Sequence, residues 1–207
     1  THVVPLAPLV QSGRVKLTGR GAYGVDFGVV ALSAIVACER DTSGRIWVRE
    51  TWARSGGDRG QLLDGIGALR VKYGSWSGRT DPTEQYLAQD FRFTPAKLGQ
   101  GARDSRVSGV TRLLNLGLQA SQLPGLCIDR DGAGNMDLVR ELEGYHYEQD
   151  GNGNLAVCRE AHKADDRVAA LEYAIEELET GMPIDWLAVA KSKGREEAPV
   201  RATRSGV

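Results

Sequence analysis

Three acidic positions lie far apart in the chain, on segments that can bring them together. Asp26 sits in Tyr23-Gly24-Val25-Asp26-Phe27-Gly28, at the head of a long apolar run. Asp81 ends Arg79-Thr80-Asp81 and precedes Pro82. Asp165 and Asp166 open an amphipathic stretch that continues through Tyr173. An Asp inside an apolar strand is costly unless it is paired, hydrogen-bonded or metal-bound. Hard divalent cations take oxygen ligands, and two of them about 4 Å apart can clamp the attacking and leaving oxygens of a phosphodiester. Asp26, Asp81, Asp165 and Asp166 are therefore candidate catalytic residues and ligands for two Mg²⁺ or Mn²⁺ ions. Each also has a duller reading. Asp26 can cap a turn beside Gly28, Asp81-Pro82 is common turn chemistry, and Asp165-Asp166 suits a helix start. Neighbours in a helix point about 100° apart, so one of Asp165 and Asp166 is the direct ligand and the other supports it or reaches the second ion. Which is which stays open.

These side chains need a scaffold. Ala22 to Phe27 and Val29 to Cys38 read as two antiparallel strands or one long bent strand. The second is apolar almost throughout, as in a strand covered on both faces. Asp41-Thr42-Ser43-Gly44 is a turn, and Arg45 to Trp52 is a third, β-branched and aromatic strand. Asp58 caps a helix to Tyr73 bearing Leu62, Leu63, Ile66, Leu69 and Val71. Gly78 to Asp81 is a short strand and Thr83 to Phe91 a short helix begun by Pro82. After a loop from Phe93 to Asp104, Ser105 to Leu118 is a helix, Leu123 to Ile128 a strand and Asn135 to Tyr145 a helix. Tyr145 to Cys158 reads as a hairpin around Asp150-Gly151-Asn152-Gly153-Asn154, and Ala164 to Glu179 as the closing helix. The sum is an α/β fold: a mixed central sheet, an antiparallel three-strand meander plus parallel strands, flanked by helices on both faces. Residues 1–20 read as a lead-in with a short strand at Arg14 to Leu17, residues 21–181 as the domain, and residues 182–207 as a largely flexible tail.

Composition narrows the function. The chain has 207 residues and a formal net charge of −1, so nucleic-acid affinity must come from a local patch. That patch is the stretch of Arg92, Lys97, Arg103, Arg106 and Arg112, opposed only by Asp104. Phosphate contacts of this kind are sequence-independent. Lys97, Arg103 and Arg106, with His162 and Lys163 beside the acidic helix, are the candidate DNA contacts, solvated surface charge being the alternative. Cys38, Cys127 and Cys158 form no CxxC pair and sit in apolar contexts, which predicts buried free thiols in a reducing compartment. No apolar run can span a bilayer. The start, Thr1-His2-Val3-Val4-Pro5, has neither an initiator Met nor a signal-peptide pattern, and reads as part of a longer or processed protein. Gly19 to Gly24 fits G-x-G-x-x-G but precedes a strand, the wrong context for a dinucleotide site. Asp129-Arg130-Asp131-Gly132 and Asp150 to Asn154 lack a complete calcium-loop pattern. Trp47, Trp52, Trp76 and Trp186 read as core or rim anchors.

Gly24-Val25-Asp26-Phe27-Gly28 followed by strand, turn and strand resembles the opening of the nuclease domain of bacteriophage large terminases. Asp81-Pro82-Thr83-Glu84 closing a later strand, Leu138 to Tyr145, and His162 to Ala174 resemble later parts of the same family, over roughly Gly21 to Glu179. The resemblance implies an RNase H-like fold. It also implies a metal-dependent endonuclease that cuts concatemeric double-stranded viral DNA with little sequence specificity, leaving 5′-phosphate and 3′-hydroxyl ends. An ATPase motor, a portal and a small terminase subunit are the implied partners, and the infected bacterial cytoplasm the implied location. The chain departs from the family where Ala169 stands in place of a further Asp and Glu172 in place of Arg. It has no Gly-x-x-x-x-Gly-Lys-Ser/Thr loop, so the motor is absent from it. A junction resolvase or transposase core, or a non-catalytic docking module of a packaging machine, are the rival readings.

Overall fold

The computed structural model describes residues 2–28, 32–56, 58–99, 101–116, 123–145, 147–149, 155–157 and 165–180. The strands are β1 (Val3–Val4), β2 (Leu17–Asp26), β3 (Leu32–Asp41), β4 (Ile46–Ser55), β5 (Ser77–Thr80), β6 (Thr94–Pro95), β7 (Leu126–Asp129), β8 (Tyr147–Gln149) and β9 (Leu155–Val157). The helices are α1 (Leu6–Gln11), α2 (Arg59–Tyr73), α3 (Gln85–Phe91), α4 (Ala102–Asn115), α5 (Asn135–Gly144) and α6 (Asp166–Thr180). The first seven strands make one sheet in the order β1-β7-β4-β3-β2-β5-β6. β2, β3 and β4 form the expected antiparallel meander. β1, β7, β5 and β6 join it in parallel. β8 and β9 pair antiparallel as the separate hairpin. The turn between them and the tail after Thr180 lie outside the described residues.

Both faces of the sheet are covered, which explains the unbroken apolar run of β3. Ala34, Val36 and Cys38 point to a core shared with α4, α5 and α6. Ile35 and Ala37 point the other way, to a core shared with α2 and α3. Cys38 and Cys127 are buried free thiols, as composition suggested. Asp58 caps α2 by accepting the Gln61 amide at 2.8 Å. Leu62, Ile66 and Leu69 form the buried stripe of that helix. Val71, expected with them, is 90 % exposed, because it falls about half a turn from that stripe. Among the described residues no helix is long and apolar enough to cross a membrane.

The largest difference from expectation is at the start. Residues 2–17 are more than a lead-in. Val3 and Val4 extend the sheet beside Ile128 and Asp129 of β7. Leu6 and Val15 are buried against Trp47 and Cys127, and Asp129 accepts the Leu6 amide at 3.1 Å. A two-residue strand and a six-residue helix carry too little periodicity to be read locally. Their stability comes from pairing with a strand more than 120 residues away. β6, two residues long and paired with β5, is too short to show a pattern of its own; its Pro95 is tolerated because the strand is an edge.

Candidate active site

The strand register sets the first two carboxylates side by side. β2 and β5 run parallel, with Gly24 opposite Arg79 and Val25 opposite Thr80. One residue further on, Asp26 and Asp81 fall next to each other at the carboxyl edge of the sheet. The Asp81 amide continues the ladder by donating to the Val25 carbonyl at 3.2 Å. Alternation along β2 puts Ala22, Gly24 and Asp26 on the face covered by α6, while Tyr23 and Val25 pack on the opposite one.

Gly24 decides how closely α6 approaches. A Cβ there would lie 1.8 Å from the Ala170 carbonyl oxygen and 2.5 Å from the Ala174 nitrogen. Helix backbone therefore rests directly on strand backbone. One turn before Ala170 comes Asp166, whose carboxyl group shares a hydrogen bond with that of Asp26. The helix thus runs antiparallel to β2 and delivers its amino terminus, the end that favours acidic groups, onto the edge holding Asp26 and Asp81.

The electrostatics follow from the crowding. Asp26 is pushed from an ordinary 3.8 up to about 8, first by burial and then by the charges of Asp166, Asp81 and Asp165. Asp166 is also raised, by burial and by Asp165. A raised carboxyl group is the expected outcome when carboxylates meet in a poorly solvated site. Among the described residues, no ion pair to Lys or Arg is formed by Asp26, Asp81 or Asp166. Asp165 differs: its Oδ2 takes Arg103 at 2.8 Å. The closing pair, ambiguous in sequence, is thereby divided into one member facing Asp26 and one facing an arginine.

The donor set, oxygen-only and rich in negative charge, suits hard divalent cations. Among the described residues no three His, Cys, Asp or Glu side chains stand close enough to grip one ion as they are. Asp81 Oδ1 accepts from the Thr83 amide at 2.7 Å and from the Thr83 hydroxyl, and its Oδ2 accepts from the Tyr173 hydroxyl at 3.1 Å. The residues fit a divalent cation in donor type, with Asp26, Asp81 and Asp166 gathered where β2, β5 and α6 adjoin.

The basic candidates separate as well. Lys97 is exposed. Arg103 is about a third exposed and lies against Asp165 and the Tyr145 hydroxyl. Arg106 does not face solvent as a surface phosphate contact would. Its guanidinium is about nine-tenths buried, facing Glu172 at 3.7 Å and Glu176 at 3.9 Å, with the Lys97 carbonyl at 3.2 Å. Glu172, only 4 % exposed, is pushed by burial up to about 7 against the pull of Arg103 and Arg106. Arg79 meets Glu177 at 3.0 Å and Glu176 at 3.5 Å in the same network. His162 and Lys163 lie outside the described residues. Sequence reasoning missed Thr83 and Tyr173. Tyr173 was legible in principle: it stands seven residues after Asp166, two helical turns along the same face.

This is an RNase H-like fold with an acidic edge, and solved structures share the fold. The large terminase nuclease of thermophilic phage G20c superposes with a TM-score of 0.57 at 18 % identity, over 80 % of this chain and 83 % of that one. The large terminase nuclease domain of bacteriophage SPP1, solved with bound Mn, gives 0.56 at 21 % identity, over 76 % and 86 %. The large terminase of another thermophilic bacteriophage gives 0.61 at 13 % identity, over 86 % of this chain but only 42 % of its own. The G20c nuclease has also been solved with magnesium and with cobalt. No family model and no curated protein matches the sequence.

Proposed function

We propose that this chain is a divalent-metal-dependent endonuclease acting on double-stranded DNA, the nuclease domain of a phage large terminase. One observation carries the reading: on a fold shared with terminase nucleases, Asp26, Asp81 and Asp166 meet at one sheet edge, with no ion pair to Lys or Arg among the described residues. Asp26 is the central ligand, Asp81 and Asp166 complete the set, and Asp165 supports it while tied to Arg103. Two bound Mg²⁺ or Mn²⁺ ions would supply Lewis-acid stabilisation of the phosphate oxygens and a water acidic enough to attack phosphorus. The chain's own part is to hold these oxygens on three separate elements and to keep the buried side of the cluster dry. Exposed Lys97 and partly exposed Arg103 would meet the DNA backbone, contacts that orient a duplex without reading its sequence. An ATPase motor, portal and small subunit are the partners this role implies, and the infected bacterial cytoplasm its location.

The test is cleavage of supercoiled plasmid by the purified chain in Mn²⁺, with EDTA as control. The expected result is nicking and linearisation that Asp26→Ala abolishes while its circular dichroism stays native. A folded Asp26→Ala protein that cuts as well as the parent sinks the assignment. Preference for branched over linear duplex would move it to the junction resolvases.

A further inference from the structure

Asp81 is the one carboxylate of the cluster that is not carried by the long strand or by α6 itself, so something must aim it. Its two oxygens are held differently. Oδ1 is tied into its own turn by the amide and hydroxyl of Thr83. Oδ2 is reached from 92 residues away by the hydroxyl of Tyr173. Tyr173 is 5 % exposed, and a buried phenol needs a partner for its hydroxyl. The ring is fixed from its other side: the Arg106 guanidinium stacks 5.1 Å from its centroid. Arg106 is in turn held by Glu172, Glu176 and the Lys97 carbonyl. A chain of contacts therefore runs from α4 through Tyr173 to one oxygen of Asp81. The same helix that carries Asp166 also carries the group that orients Asp81, so the two carboxylates are positioned by one rigid body.

We propose that Tyr173 is a positioning residue whose hydroxyl orients the Asp81 carboxylate for a divalent cation held jointly with Asp26. This rests on the metal-dependent reading above. A carboxylate whose orientation is already set by an outer hydrogen bond loses less freedom on taking an ion, and hydrogen bonds of this kind typically change metal affinity about 10- to 100-fold. Arg106, by gripping the Tyr173 ring, serves the same end at one further remove.

The experiment is a direct Mn²⁺ titration of the chain without DNA, by electron paramagnetic resonance, comparing the parent with Tyr173→Phe, Asp81→Asn and the double variant. Tyr173→Phe should weaken Mn²⁺ binding about 10-fold or more, with an unchanged melting temperature in EDTA. The Mn²⁺ concentration for half-maximal plasmid cleavage should rise by the same factor, and the rate at saturating Mn²⁺ should recover. In the double variant the Tyr173 change should add nothing to Asp81→Asn, since the one acts through the other. Equal Mn²⁺ affinity in parent and Tyr173→Phe overturns the proposal. So does a large loss of melting temperature in EDTA, which would assign the hydroxyl to the fold. A parent chain that binds no Mn²⁺ at all instead overturns the proposed function.

Discussion

One helix, α6, carries two kinds of buried acid. From its middle onward, Glu172, Glu176 and Glu177 meet Arg106 and Arg79 across short gaps. At its amino terminus, Asp166 meets Asp26, another acid, through a hydrogen bond between the two carboxyl groups. Among the described residues, only the first region forms ion pairs across the gap. Buried charges that are paired can be close to neutral for stability. Buried charges of one sign without a partner mark a place where something else is to be bound. The contrast between the ends of α6 thus separates architecture from chemistry within fifteen residues.

The comparison can be broken at several points. The largest effect is expected at the acidic end. Asp166→Asn should lower Mn²⁺-dependent cleavage by more than the about 100-fold typical of outer-sphere partners, and Asp165→Asn by about 10-fold or less. Plasmid assays on the two purified variants check this, and the reverse order would exchange their roles. Next comes the paired end. Arg79→Ala removes the Glu177 cation and leaves Glu176 with Arg106 alone, both acids largely buried, and should cost about 3–5 kcal/mol in urea unfolding. A loss under about 1 kcal/mol would mean the network is solvated after all.

The smallest effect is in the pH dependence without metal. Because folding raises Asp26 from 3.8 to about 8, the folded chain keeps a proton that the unfolded chain has released throughout that window. Stability is therefore fullest below the unfolded value and falls as pH rises toward 8, by at most about 1.4 kcal/mol per pH unit. Asp26→Asn should flatten that slope, and saturating Mn²⁺ should do the same for the parent chain. Melting curves in EDTA that stay level from about pH 5 to about pH 8 would deny the crowding of charge.

Much of this could be read from the chain. The meander, α2 and its Asp58 cap, α5 and the closing helix announce themselves through local periodicity and turn chemistry. Asp26 stands out because an acid in an apolar strand demands an explanation. What stayed hidden depends on tertiary partners. β1 exists by pairing with β7, α1 by packing Leu6 against Trp47 and Cys127, and the two-residue β6 by pairing with β5, so no local pattern marks them. Arg103 and Arg106 look alike in sequence, three residues apart on one helix; only the facing acids of α6 distinguish a partly exposed cation from a buried one. The spacing of Glu172 and Glu176 on an otherwise apolar face was the available hint, since such acids require cations from a neighbour. Asp165 and Asp166 could not be told apart until Arg103 was seen to take the first.

The contact at Gly24 has a mechanical consequence. Because backbone touches backbone there, any side chain at position 24 would have to lift α6 off β2. Asp166 lies one turn from that contact, so the lift would open the gap between Asp166 and Asp26. The spacing of the carboxylates is thus gauged by a residue that cannot bear a side chain.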